Sequence, residues 1–353
     1  MAPGQVRRAG TTPVALALGL TLGVSLISAC GSSYDPPSLI NKLRVLAVRA
    51  EPPFLRPTGN TILTPLVVGL DEPLCYAWAF CPFAWPKDGQ YRCFDPRLLQ
   101  PVGAGASATV TPAHMLATLA KVPEVFADLG VALPKGLDPK RDPAEAQDVE
   151  LQVLFKVATL QSVGGKCPSD IATWIEAPCV DREACVAGVK RLALVTTAEA
   201  AHTNPKLEGL RLDGVLWPDD LTPTVVPYRG DPDDTFLGLK EGAIRLLPVW
   251  SEDSLEPIGA RLDPGASGVR NESLLFSWFS TAGDYQKQRS FDDFPDNALL
   301  PPERAGPIRI WLVARDGRNG VDWLSREVDV QVKGSAGHPL CARKPALDGC
   351  PSP

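Results

Sequence analysis

The chain has 353 residues, a formal net charge of −6 and three histidines, together with 36 prolines and nine cysteines. An acidic chain is repelled by the nucleic-acid backbone, so the composition argues against nucleic acid as a partner, and none is predicted. Because proline cannot donate to helix or ladder hydrogen bonds and has about twice its usual share, we expect short strands and ordered loops rather than long helices.

The first 29 residues have the parts of a signal peptide. Arg7 and Arg8 precede an uncharged apolar run over residues 14–27, which small residues follow. At about 1.5 Å per helical residue this run covers about 21 Å, less than the ~30 Å of a hydrocarbon core. We therefore predict that residues 1–29 are removed on export.

The end of this segment, Ile27-Ser28-Ala29-Cys30, resembles the lipobox of bacterial lipoproteins. The resemblance implies cleavage before Cys30, a diacylglyceryl group on its thiol and a further acyl chain, such as palmitate, on its amine. Several chains give stable membrane anchoring where one does not. Gly31, in place of an aspartate that would resemble an inner-membrane retention signal, favours the outer membrane. The alternatives are an ordinary cysteine beside a conventional cleavage site and an unprocessed anchor.

Eight cysteines remain after Cys30, an even number that indicates up to four disulfides in an oxidising compartment. They are Cys75, Cys81, Cys93, Cys167, Cys179, Cys185, Cys341 and Cys350. Connectivity cannot be read from the sequence, although proximity favours Cys341 with Cys350, which would close the C-terminal tail. The alternative, a metal site, lacks any Cys-x-x-Cys pair, and His114, His202 and His338 are scattered.

Residues 42–197 are predicted to form a first β-sandwich domain. Strand patterns cover residues 42–50, 61–70, 75–81, 149–159 and 189–197. In the third of these, period-2 geometry places Tyr76, Trp78 and Phe80 on one face. Apolar residues at helical spacing predict a helical insertion near 111–130, broken near Pro123 and ended by Gly130.

Residues 207–333 are predicted to form a second sandwich, in which Phe276-Ser277-Trp278 resembles Tyr76-Ala77-Trp78 and favours a duplicated domain. Its last hairpin alternates Ile308, Ile310, Leu312 and Ala314 with other residues up to a glycine-containing turn at 316–320. We expect this hairpin to have one solvent-exposed face.

Residues 43–53 and 311–320 are similar to segments of uncharacterised myxobacterial lipoproteins with immunoglobulin-like or PKD-like domains. The resemblance implies location and architecture but no catalytic residue. The fold prediction is therefore mainly β, with two immunoglobulin-like sandwiches. Residues 30–41 are predicted to be the lipidated tether, 198–206 a linker and 334–353 a cysteine-containing tail.

No catalytic or metal site is predicted, and no cofactor. The sequence lacks His-Glu-x-x-His, Gly-x-Ser-x-Gly and glycine-rich phosphate loops. Calcium is the alternative, because acidic loops offer hard oxygen donors, although none matches an EF-hand. These loops are Asp219-Asp220, residues 231–234, Asp292-Asp293 and residues 316–322.

The sequence predicts a membrane-anchored extracytoplasmic lipoprotein with a binding or structural role, whose partner is an envelope protein or a glycan. One alternative is a calcium-dependent adhesin or glycan-binding module that uses exposed aromatic residues such as Trp217, Trp250 or Trp311. Another is an extracytoplasmic enzyme of unrecognised type.

Overall fold

The computed structural model describes residues 36–87, 90–132, 150–195, 202–230, 241–258, 270–332, 338–344 and 346–350. The predicted signal peptide, Cys30 and part of the predicted linker lie outside these ranges. The elements of the first half are β1 (Arg44–Glu51), β2 (Phe54–Leu55), β3 (Thr61–Val68), β4 (Leu74–Phe80), β5 (Ala84–Lys87), β6 (Gln90–Cys93), a 3-10 turn (Pro96–Leu98), β7 (Gln100–Gly103), β8 (Ala108–Val110), α1 (Pro112–Leu119), α2 (Val122–Asp128), β9 (Glu150–Thr159), α3 (Ile171–Glu176) and β10 (Cys185–Leu194).

Two sheets of the first half face each other. One has the order β1-β3-β8, and the other has the order β2-β10-β9-β4-β7. All neighbouring strands are antiparallel except β2 and β10, which run parallel. Apolar residues of both sheets, including Leu63 on one and Trp78 and Val153 on the other, share one core. The first half is therefore a β-sandwich.

The second half has β11 (Leu207–Leu212), β12 (Val215–Leu216), β13 (Thr224–Val225), β14 (Ile244–Trp250), a 3-10 turn (Glu252–Ser254), β15 (Pro257–Ile258), β16 (Arg270–Asn271), β17 (Leu275–Ser280), β18 (Asp284–Tyr285), β19 (Arg289–Phe291), β20 (Asn297–Leu300), β21 (Gly306–Arg315) and β22 (Val321–Val330). Its sheets have the orders β12-β11-β14-β20-β18 and β13-β22-β21-β17-β19. Leu210 and Leu246 of the first sheet pack with Phe276 and Leu312 of the second.

The two halves share one strand plan. In one sheet the first long strand pairs with the second, β1 with β3 and β11 with β14. In the other sheet a short strand runs parallel to the last strand, β2 to β10 and β13 to β22. Trp78 lies on β4, which pairs with β9, and Trp278 lies on β17, which pairs with β21. Both side chains are completely buried. This is the immunoglobulin-like arrangement, with a tryptophan on the third long strand packed between the sheets. The resemblance between the two tryptophan segments thus matches equivalent strands.

The helical insertion predicted near 111–130 is confirmed as α1 and α2. Pro123 lies in the first turn of α2, where a missing N–H costs no helical hydrogen bond. The helical segment is therefore interrupted just before Pro123. The helix α3 was not predicted. It begins after Asp170, whose side chain accepts a hydrogen bond from Thr173 N and caps the helix. The strand predicted at 189–197 begins earlier, at Cys185, and ends at Leu194.

The central strand β4 is buried on both faces. Trp78 and Phe80 point into the core between the sheets, whereas Ala77, Ala79 and Cys81 pack under the helices with Val125 and Ile175. Small residues on this second face let the helices approach the sheet closely.

The described residues from Pro37 onward belong to one compact unit. A core of Leu46, Ala47 and Val68 from the first sandwich with Trp311 and Val313 from the second joins the two sandwiches. The expectation of a solvent-exposed face on the last hairpin is therefore wrong over its central part. Period-2 alternation identifies the two faces of a strand but not a second domain that covers one of them. The domain limits 42–197 and 207–333 enclose the strands of each sandwich and stay predictions.

Candidate binding cleft and the predicted site residues

A cleft of about 580 Å³ opens where the two sandwiches meet. Residues 45–48 of β1 and residues 186–191 of β10 form two of its sides, and the turn between β21 and β22 forms the third. Its volume falls within the range of ligand pockets, roughly 300–1,000 Å³. The cleft is formed by elements distant in sequence, so no local pattern could have predicted it.

Lys190 is the buried cation of this cleft. Its ammonium donates a hydrogen bond to Asn319 O at 2.5 Å, on the turn of the second sandwich. Burial lowers the pKa of Lys190 to about 8, against the opposing field of Asp316. Arg315 lies close by and donates to Leu46 O at 2.6 Å. Both cations therefore link one sandwich to the other.

A second polar cluster lies behind the turn. Arg318 donates to Glu256 at 2.9 Å and also to Glu272, whose side chain is 1% exposed. Burial raises the pKa of Glu272 to about 7, although the hydrogen bond from Arg318 lowers it. Within the part of the chain that the structure describes, Glu272 Oε2 and Asp316 Oδ2 are buried without a hydrogen-bond partner. This cluster buries more negative charge than its one arginine balances.

The acidic turn at 316–322, an alternative calcium loop, is occupied by the protein's own donors. Asp316 Oδ1 accepts hydrogen bonds from Arg318 N at 2.7 Å and Gly320 N at 2.9 Å. Asp322 pairs with Arg49 Nη1 at 3.1 Å and so connects the sandwiches. These carboxylates act as turn and interface contacts.

The other predicted acidic loops differ in their surroundings. Asp219 forms an ion pair with Arg326, and Asp292 accepts a hydrogen bond from Ser273 Oγ at 2.7 Å. Residues 231–234 lie outside the described ranges. Among the described residues, no group of three or more metal-ligand side chains converges on one point.

The aromatic residues offered as a glycan surface are not exposed. Trp217 and Trp311 are 1% and 6% exposed, and Trp250 is half-buried against Phe276. That part of the glycan-binding alternative is wrong, because these side chains fill the core and the contact between sandwiches. Trp85, by contrast, is 55% exposed on the hairpin of β5 and β6.

The three histidines lie at separate places. Their ring nitrogens contact backbone groups, His114 at Thr111 N, His202 at Arg318 O and His338 at Leu212 O. Each is thus placed to stabilise local structure or the contact between segments.

All eight predicted disulfide cysteines are paired. The bonds are Cys75–Cys167, Cys81–Cys93, Cys179–Cys185 and Cys341–Cys350, the last as proximity favoured. Cys30 lies outside the described residues, and its lipidation stays a prediction. No helix in the described ranges combines the length and apolar character needed to cross a membrane.

No model of a known protein family matches the chain, and no curated protein resembles it in sequence. Among solved structures, the D0-D1 domain of intimin is 8% identical, covers 80% of this chain and 98% of its own, and has a TM-score of 0.21. Murine CEACAM1b is 9% identical over 81% of this chain and 99% of its own, with a TM-score of 0.19.

The Yersinia pseudotuberculosis adhesin InvE is 7% identical over 82% of this chain and 60% of its own, with a TM-score of 0.18. TM-scores and identities this low carry no argument about function. The class of the chain, a two-sandwich immunoglobulin-like protein, rests on its own strand order and cores.

Proposed function

We propose that the chain is a bacterial envelope lipoprotein, anchored by lipid on Cys30, whose two sandwiches have a binding role. The observation that carries this proposal is the pairing of the other eight cysteines with one another. Four disulfides favour an oxidising compartment, and none of these eight thiols is left for Cys30. In bacterial lipoproteins the lipidated cysteine directly follows the signal peptide, which is the position of Cys30 here.

The sequence around Cys30 supplies the remaining support. The apolar run at 14–27 is short for a permanent span, and Gly31 favours delivery to the outer membrane. We also propose that the tether of residues 30–41 holds the sandwiches at the membrane surface. The similarity to myxobacterial lipoproteins agrees with this assignment and stays a prediction.

A binding role fits the cleft between the sandwiches. Aliphatic residues, glycines and the cations Lys190, Arg191 and Arg315 line it, and its described lining includes no histidine or carboxylate side chain. Such a lining offers contact surface and positive charge, and its ionisable groups besides the two arginines are Lys190 and Tyr91. Trp217 and Trp311 are core residues and Trp250 is half-buried against the core, so a glycan is not favoured.

The anchor is tested by growing cells with a radiolabelled fatty acid. The wild-type protein is expected to incorporate label and to sediment with membranes, whereas Cys30→Ala is expected to do neither. Ser32→Ala, two residues beyond, is the matched control and should behave as the wild type. A labelled, membrane-bound Cys30→Ala product would contradict the proposal.

A further inference from the structure

The strand β10 has one paired and one largely open edge. Its first edge pairs with β9 without interruption, from Cys185 opposite Ala158 to Ala193 opposite Glu150. On the second edge, β2 pairs only at Ala193 and Leu194. No other described strand pairs with this edge. A gap in the backbone ladder therefore lies along the cleft.

Hydrogen bonds at both ends of β10 show which residues face that gap. Ala184 O accepts from Thr159 N, so even-numbered residues direct their backbone groups towards β9. Glu183 O accepts from Leu43 N, and Val195 N donates to Leu55 O, both on the opposite side.

The pairing with β9 has no register shift, so this alternation holds along the whole strand. The backbone N–H and C=O groups of Ala187, Val189 and Arg191 consequently face the cleft. Their spacing is about 6.8 Å, two residues of a strand, which is the repeat that an added strand requires.

A glycine and an aromatic ring meet beside this edge. Gly188 has the ring of Phe155 against it, and a Cβ at this position would lie 2.4 Å from Phe155 Cζ. The ring can therefore cross the strand only beside a glycine. Residues 45–48 of β1 and Gly317 of the opposite turn bound the space that remains.

The charge of the cleft indicates which charge an added strand should carry. The charged lining residues are Lys190, Arg191 and Arg315, all cationic. The ammonium of Lys190 bonds to a neutral carbonyl, and no described carboxylate lies within ion-pair distance of it. Arg191 is half-exposed and only loosely paired with Glu150, at 3.5 Å. The buried Asp316 compensates part of the charge of Lys190, and an incoming carboxylate would add to that compensation.

We propose that the open edge of β10 binds an extended acidic peptide segment of a partner envelope protein by β-strand addition. Backbone hydrogen bonds to Ala187, Val189 and Arg191 supply affinity, and a carboxylate near Lys190 supplies selectivity. This inference rests on the binding role proposed above and names its partner chemistry.

The test uses the full-length protein in detergent micelles and two acetylated nonapeptides of alternating threonine and valine. One peptide carries two glutamates, and the other carries two lysines at the same positions. We expect the glutamate peptide to bind at least about tenfold more tightly. On binding, hydrogen exchange at the amides of Ala187, Val189 and Arg191 should slow, while Gly188 and Lys190, already bonded to β9, should change little.

Two variants separate the backbone and charge contributions. Ala187→Pro removes an N–H that faces the cleft and leaves the β9 ladder intact, so binding should weaken about tenfold or more. Lys190→Gln should abolish the preference for glutamate, whereas Lys206→Gln, an exposed lysine, should retain it. If the proline variant does not fold, hydrogen exchange at the three odd-numbered amides of the wild type tests the backbone contribution instead.

Binding without slowed exchange at the three odd-numbered amides would overturn strand addition. Equal binding of both peptides would overturn the acidic preference, and binding of neither would overturn the whole inference. Fatty-acid labelling of Cys30 is measured separately, so failure here is distinguishable from failure of the anchor.

Discussion

Glu272 is a carboxylate whose proton affinity depends on both burial and a neighbouring cation. Its pKa is raised to about 7 because burial penalises the anion more than Arg318 stabilises it. The folded protein therefore binds this proton more tightly than the unfolded chain, where the ordinary value is about 4.5. The contribution to stability is fully present below about pH 4.5 and is lost as pH rises through about 7.

This sign gives a residue-scale prediction. The urea midpoint of the wild type should fall between pH 5 and pH 8 by more than that of Glu272→Gln, whose amide cannot ionise. Glu208→Gln, an exposed carboxylate, is the control and should keep the wild-type dependence. Equal pH dependence in wild type and Glu272→Gln would contradict the argument. The measurement is urea denaturation followed by tryptophan fluorescence.

Lys156 is a second buried charge, and its environment explains why it is tolerated. It lies on β9, and its ammonium donates to Trp174 O and Ala177 O at the end of α3. Burial lowers its pKa to about 8. A cation at a helix C-terminus satisfies carbonyls that lack helical partners. Since α3 was not predicted, no local pattern indicated a buried lysine at this position.

At the scale of elements, the disulfides hold the loops of the first sandwich onto β4 and β10. Cys75–Cys167 ties the start of β4 to the loop after β9 across 92 residues, whereas Cys179–Cys185 closes only six. A larger closed loop restricts the unfolded chain more. The long crosslink should therefore matter more for stability.

We expect the double variant Cys75→Ala/Cys167→Ala to lose about 4.6 kcal/mol of unfolding free energy by the loop-entropy relation. The matched pair Cys179→Ala/Cys185→Ala should lose about 2.2 kcal/mol by the same relation. Both are measured by urea denaturation without reductant. A larger loss from the short crosslink would show that local strain, not loop length, sets the order.

At the scale of the whole molecule, the contact between sandwiches decides whether they unfold together. Trp311 is buried on the face of β21 that meets Leu46 and Val68. Polar links reinforce this contact through Lys190 and Asn319 and through Arg49 and Asp322. We therefore expect the wild type to unfold in one calorimetric transition.

Trp311→Ala should remove about 3–5 kcal/mol, the usual cost of truncating a buried tryptophan, and should split this transition into two. Trp85→Ala is the control, because Trp85 is 55% exposed and lies away from the contact. It should lose far less and keep a single transition. Differential scanning calorimetry makes the comparison, and an unchanged single transition in Trp311→Ala would contradict a coupling role.

The local sequence was sufficient for much of the fold. Alternating strands, the break at Pro123 and the two tryptophan segments predicted a mainly β chain with a helical insertion, because backbone periodicity and proline geometry act over a few residues. The even number of cysteines likewise predicted up to four disulfides. The resemblance of residues 27–30 to a lipobox comes entirely from the sequence, and the lipidation of Cys30 stays a prediction.

The tertiary structure decided what no local pattern contains. It set which cysteines pair, buried Trp217 and Trp311, and placed Lys190 in a cleft beside an open strand edge. Several of these outcomes depend on contacts between residues distant in sequence, such as Cys75 with Cys167 across 92 residues and Lys190 with Asn319 across 129. A strand pattern specifies two faces, but only the packing of one sandwich on the other determines which face is covered and which edge stays open.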